Sequence, residues 1–145
     1  MNAGRVLAFG TFDLLHPGHH SYLQQAAALG AKLFVLVACD QAVNYTKAHS
    51  PLEPEQTRLK KVAALPYVTR AFLGQPVKSR TDYLGAIREL RPDIIALGYD
   101  QFLDHEAWLR KELGKFEPAP KIVRLASFMP SKYKSSILKM TNVKI

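Results

Sequence analysis

Between residues 10 and 19 the chain reads Gly10-Thr11-Phe12-Asp13-Leu14-Leu15-His16-Pro17-Gly18-His19. Its two histidines stand three positions apart, which puts them on one face of a helix about a turn from each other. Pro17 sits where a first helical residue is favoured, because the N–H it lacks would be unpaired there anyway. Such a helix start turns unpaired N–H groups and the positive end of a dipole toward a ligand, and together these bind phosphate. Gly10 and Gly18 let a ligand approach the backbone closely. Paired imidazoles there donate hydrogen bonds to phosphate oxygens. They matter most when negative charge builds up on a leaving group. A lone histidine at a helix start is more often a cap or a surface residue. A zinc pair lacks a third ligand at sensible spacing, so no protein-held metal is expected.

These residues need a scaffold to present them. Residues 5–9 read as a short buried strand, and the helix after Pro17 runs through Tyr22, Leu23, Ala26 and Ala27 to a stop at Gly30. Residues 32–38 (KLFVLVA) form a nearly continuous apolar run, as in a strand covered on both faces. Helices follow over 54–65, 79–90 and 103–113, strands over 68–73, 93–97 and 121–125, and a short last helix from Ser135. Strands alternating with helices predict an α/β, Rossmann-like, doubly wound, five-stranded parallel sheet with helices on both faces. Ligands of such a sheet sit beyond the carboxyl ends of its strands. The residues after Phe9, Ala38, Leu73, Leu97 and Leu125 are therefore the ones to inspect for substrate contacts. Residues 44–54 read as the longest irregular stretch, and such a loop is more often functional than decorative.

Composition narrows the partners. The 145 residues carry 20 Lys plus Arg against 12 Asp plus Glu, a net charge of +8. At 48% hydrophobic and 22% charged the chain is ordinary globular material, of a size for one domain spanning 1–145. A single cysteine, Cys39, excludes an intramolecular disulfide framework and a cysteine zinc ribbon. No membrane span and no secretory leader is legible, so a cytoplasmic protein is expected. The surplus positive charge asks for an anion. No interleaving of aromatic and basic residues points to nucleic acid.

The string from Gly10 to His19 resembles the signature of the cytidylyltransferase-like nucleotidyltransferases. Among them the chain looks most like the archaeal-type FAD synthases and the glycerol-3-phosphate cytidylyltransferases. The resemblance covers the whole chain, because later landmarks fall in the right order. It implies transfer of a nucleoside monophosphate from a nucleoside triphosphate to a phosphorylated acceptor, with release of pyrophosphate. It assigns His16 and His19 to transition-state stabilisation. It assigns Gly10, Thr11, Phe12, His16, Gly18 and His19 to the nucleotide. Asp13 is expected to organise the loop on the acceptor side. Lys47 corresponds to a loop lysine that reaches phosphates, and a charge on a flexible stem suits that task. Arg58 matches an arginine carried toward the acceptor, although a plain helix-surface charge explains it equally well.

Gly98-Tyr99-Asp100-Gln101 closes the fourth strand. Gly98 relieves crowding, and Asp100 and Gln101 have the groups to bond a ribose or a base edge. They would otherwise cap the next helix. Tyr99 and Gln101 look more like the FAD synthases than the Gly-Asp-Asp-Trp of the cytidylyltransferases, which favours ATP and FMN over CTP and glycerol 3-phosphate. Near the C-terminus Ser135 and Ser136, flanked by lysines, match a second phosphate cradle. The family's Arg-Thr-x-Gly is absent there, with Lys134 the candidate replacement on the acceptor side. An ordinary serine cap on a basic helix is the plainer reading. Much of the surplus charge (Lys47, Arg58, Lys132, Lys134, Lys139) falls in segments expected to face phosphates. A magnesium ion would arrive with the triphosphate. The resemblance also implies a homodimer. A non-catalytic nucleotide sensor is the rival of another class, and the intact histidine pair argues against it.

Overall fold

The computed structural model describes residues 3–127. Its strands β1 (Ala3–Gly10), β2 (Gly30–Val37), β3 (Arg70–Leu73), β4 (Ile94–Leu97) and β5 (Lys121–Arg124) form one five-stranded sheet in the order β3-β2-β1-β4-β5. Every neighbouring pair is parallel. Between the strands run α1 (Pro17–Ala27), α2 (Asp40–Lys47), α3 (Glu55–Ala63), α4 (Tyr83–Leu90) and α5 (Glu106–Leu113). The doubly wound sheet expected from the alternation of elements is the observed architecture.

The central strands are apolar on both sides because both sides are covered. Val6, Ala8, Ile94 and Ala96 pack with Leu23 and Ala26 of α1 and Val62 of α3. Their alternate neighbours Leu7, Phe9, Ile95 and Leu97 pack with Leu84 and Ile87 of α4 and Leu109 and Leu113 of α5. Leu7 and Ile95 are wholly buried, and each such side chain contributes about 1.5–3 kcal/mol of hydrophobic stabilisation.

The strand order reverses at β1, which has β2 on one side and β4 on the other. The β1–β4 ladder runs from Val6↔Ile94 to Ala8↔Ala96. Beyond it, two side chains satisfy the backbone groups the ladder no longer pairs. The Tyr22 hydroxyl donates to the Ala96 carbonyl (2.7 Å) and accepts from the Phe9 N–H (3.2 Å). The Gln101 amide accepts from the Gly98 N–H (2.8 Å) and donates to the Phe9 carbonyl (2.5 Å). These bonds shape the crevice in which doubly wound sheets take their ligands.

Some local expectations need correction. Residues 44–47 are not loop but the second half of α2. Ala42 and Val43 are buried on that helix, and Thr46 bonds back to the Ala42 carbonyl (2.9 Å), so its hydroxyl does not compete with the helix. Gly30 does not cap α1, which ends at Ala27 with Ala28 as its C-cap, but opens β2. The helix expected from residue 103 starts at Glu106, after a run of turns. A 3-10 turn, Arg80–Asp82, precedes α4. The expected helix from Ser135 lies outside the described residues.

Candidate active site

The chain leaves β1 at Gly10 and reaches α1 through a tight loop. Phe12 (φ 55°) and Leu14 (φ 59°) both take left-handed backbone conformations. For residues with a Cβ this costs about 1–2 kcal/mol each, so other contacts must hold the loop. Asp13 supplies them. Its buried carboxylate accepts from the N–H groups of Leu52 (2.8 Å) and Glu53 (2.9 Å). Glu53 answers by accepting from the Leu14 N–H (2.9 Å) and pairing with Lys61. The segment before α3 is thereby clasped to the histidine loop. This is loop organisation, as expected of Asp13.

His16 is the N-cap of α1. Its Nδ1 accepts from the Gly18 N–H at 3.1 Å. The ring proton therefore sits on Nε2, which makes that nitrogen a donor. His19 stacks on it, with ring centroids 3.8 Å apart and planes 24° from parallel. Burial pushes the His16 pKa down to about 4, with the charge of His20 adding. Burial lowers His19 to about 3, with His16, Lys47 and His20 adding and Asp13 opposing. At neutral pH both rings are uncharged donors on the positive end of α1. Neutral donors of this kind serve phosphate oxygens without a cation having been desolvated.

Lys47 ends α2 as an exposed residue, close enough for its charge to act on His19. It stands on a helix rather than in the expected loop.

Three expected ligand contacts take other roles. Phe12 is buried, edge-on to His19 (5.6 Å) and stacked on Tyr22 (6.3 Å), so its ring supports the histidine from below. Arg58, expected at the acceptor, is fully buried. Its guanidinium donates to the carbonyls of Glu53 (3.0 Å), Thr11 (2.8 Å) and Ala38 (2.7 Å) and to the Asp40 carboxylate (2.7 Å). It joins the ends of β1 and β2 to the start of α3. Its charge is answered by Asp40 instead of a substrate phosphate. The Gln101 amide is committed to the ends of β1 and β4, as described above.

Gly10 also has an internal reason. A Cβ there would meet the Phe12 ring at 3.2 Å. Gly98 accommodates the Gln101 side chain, which a Cβ would meet at 3.5 Å. Thr11 and Asp100 are half-buried, Asp100 in the turn after β4. That turn is held by Arg124 of β5, which the sequence marks only as a strand residue. Its guanidinium donates to the carbonyls of Gly98 (2.8 Å) and Gln101 and pairs with Glu106. Ser135, Ser136 and Lys134 lie outside the described residues.

A cleft of about 490 Å³ opens over the carboxyl ends of β1, β2 and β3, with α4 as its far wall. Leu36, Phe72, Val77, Tyr83 and Phe102 make it largely apolar. Gly10 and Thr11 line it on their way to the histidines, and so does Thr46, next to Lys47. No single residue announced this cleft in the sequence, because strand ends, α2 and α4 build it together. Among the described residues no group of three or more His, Cys, Asp or Glu could hold a metal ion. No helix among them is long and apolar enough to cross a membrane.

Comparison with known proteins agrees with this geometry. The sequence model of the cytidylyltransferase-like family matches residues 7–141. The chain is 47% identical over 132 residues to the FAD synthase of Methanothrix thermoacetophila, covering 91% of this chain and 87% of that protein. It is 51% identical over 121 residues to the FAD synthase of Methanosarcina mazei, covering 83% and 76%. Among solved structures it is similar to a lipopolysaccharide core biosynthesis protein of Thermoplasma volcanium. That likeness has a TM-score of 0.77 and 38% identity, over 88% of this chain and 99% of the other. A pantoate-beta-alanine ligase of Francisella tularensis shares the fold, with a TM-score of 0.63 at 15% identity, over 97% of this chain and 69% of the other.

Proposed function

The chain belongs to the cytidylyltransferase-like family, and from that premise we propose that it is an FMN adenylyltransferase, making FAD and pyrophosphate from ATP and FMN. The relatives named FAD synthase support the substrate pair. The observation that carries the reading is the shared wall between two half-sites. The cleft is lined by Gly10 and Thr11 at the end of β1 and by Thr46 in the last turn of α2, and the histidines follow on the same β1–α1 connection. A substrate with a flat, apolar ring and a phosphate tail fits that layout, ring in the cleft and tail toward the histidines. Glycerol 3-phosphate has no apolar surface to offer such a cleft, so CTP-dependent transfer to a small phosphorylated alcohol is not favoured.

In this reading an oxygen of the FMN phosphate attacks the α-phosphorus of ATP in line. The new P–O bond forms as the bond from the α-phosphorus to the β-phosphate's bridging oxygen breaks. That electron pair leaves with pyrophosphate. The FMN phosphate is already ionised, so no general base is required. Positioning and electrostatic stabilisation then carry the catalysis. The Nε2–H of His16 and the ring of His19 serve the charge that grows on the departing oxygens, with the N-terminus of α1 behind them. Lys47 serves the phosphate tail, and Asp100, in the turn that Gln101 and Arg124 hold, the nucleoside. Ser135 and Ser136 join the nucleotide side in this reading, and Lys134 the acceptor side. The triphosphate would bring its own divalent counter-ion, magnesium in this reading, which would offset phosphate charge. The enzyme acts in the cytoplasm as a homodimer.

The test is pyrophosphate release over ATP and CTP against FMN, glycerol 3-phosphate and phosphopantetheine. The expected result is release with ATP plus FMN alone. Release only with CTP, or tight nucleotide binding without release, overturns the reading.

A further inference from the structure

A glycine sits in α4 with no neighbour among the described residues that requires it. Gly85 is the third residue of an eight-residue helix. In that first turn glycine still loses more backbone freedom on folding than alanine does. Such a residue is normally explained by a close neighbour. Among the described residues Gly85 has none: a Cβ built on it would meet no atom of theirs outside its own helix within 4 Å. Its backbone has no positive φ. Gly10, Gly98 and Gly114 all meet neighbours within 4 Å in the same position, so Gly85 differs from them in kind.

What lies over Gly85 is the open cleft, which it lines. On the same wall Tyr83 and Ala86 form the deeper stripe, while Asp82 and Glu89, three before and four after, flank Gly85 on the outer one. The Asp82 carboxylate is oriented by the N–H groups of Lys78 (2.7 Å) and Ser79 (3.1 Å). A ligand group crossing the glycine thus meets bare helix backbone between two carboxylates. Carboxylates accept hydrogen bonds from N–H groups and repel phosphate.

We infer that Gly85 is a specificity-determining residue for the acceptor: the uncharged, N–H-bearing end of the acceptor's planar ring lies over it, between Asp82 and Glu89. This rests on the reading of the protein as an FMN adenylyltransferase. It fixes the acceptor's direction, ring end at α4 and phosphate end at Thr11 and the histidines. It also explains the glycine, since a side chain there would take the space the ring requires.

The experiment compares wild type, Gly85→Ala and Gly85→Leu. Thermal melting, KM for FMN, KM for ATP, and inhibition by riboflavin, which has the ring but no phosphate, are measured on each. Gly85→Ala should melt a few degrees higher than wild type, because alanine favours the helix. The same variant should raise the KM for FMN by about tenfold, since overpacking a fitted site typically acts on that scale. Gly85→Leu should raise it further, and riboflavin inhibition should weaken in parallel. KM for ATP should stay within about twofold, because this reading puts the nucleoside at the turn after β4 and not on α4. A stabilised Gly85→Ala with unchanged FMN and riboflavin affinity overturns the inference, as does a rise in both KM values together. A wild type that makes no FAD overturns the functional reading instead. The two failures are therefore separable.

Discussion

Replacing Arg58 with alanine tests the reassignment of this residue from substrate ligand to internal brace. The side chain is fully buried, and its four hydrogen bonds reach Glu53, Thr11, Ala38 and Asp40. Truncation leaves three backbone carbonyls without their donor. It also leaves a cavity where three chain segments meet. Asp40 keeps a route to solvent, because its side chain is 42% exposed, so its charge is not stranded. Breaking a buried ion pair costs about 3–5 kcal/mol when the remaining partner is trapped. The exposure of Asp40 puts the expected loss toward the low end, about 3 kcal/mol. In a chain of this size that lowers the melting temperature by roughly 10 °C. Arg58→Lys keeps the charge but not the planar fork, and should fall between alanine and wild type. The assay is thermal and urea unfolding of both variants, with kcat and KM measured at a temperature where each is folded. Because Thr11 loses its anchor, kcat should fall along with stability. A variant that melts like wild type and raises only the KM for FMN refutes the brace and restores the acceptor role that resemblance assigned.

His16→Ala and His19→Ala should each lower kcat about a hundredfold or more, the scale for losing one preorganised donor. Near wild-type turnover in either removes the stacked pair from the mechanism. The same histidines should make stability depend on pH. Their folded pKa values, about 4 and about 3, lie below the ordinary value of 6.5. Between those limits the unfolded chain takes up protons that the folded chain does not, so the contribution is complete above pH 6.5 and is lost as pH falls toward 4 and then 3. Urea unfolding at pH 7 and pH 5 should show this loss in the wild type, and a smaller one in a His16→Gln, His19→Gln double variant. Equal losses in both would mean the pair is not held neutral by the fold.

What the sequence alone determined is what local signals encode. Apolar runs such as residues 32–38 commit to strands, Pro17 marks a helix start, and the spacing of His16 and His19 puts two imidazoles at that start. Such features need only near neighbours along the chain, so composition and spacing carry them. Alternation of the elements then leaves few sheets to choose from, and the doubly wound one formed. Asp13 was legible as a loop organiser, though not through which partners, since Leu52 and Glu53 are about forty residues on.

Packing between distant segments sets which polar residues face the protein instead of the site. Arg58 reads as a solvated helix charge or a ligand until the ends of β1 and β2 converge on it. Gln101 reads as a base contact until Phe9, 92 residues earlier, claims its amide. Phe12 reads as a nucleotide contact until its backbone turns left-handed and buries the ring beneath His19. A guanidinium, an amide or a ring carries the same chemistry in either setting. Its role depends on whether burial leaves it a backbone group to satisfy, and that follows from packing rather than from neighbours in the chain. The cleft and the open space over Gly85 belong to the same class, because empty volume exists only between elements that have already come together.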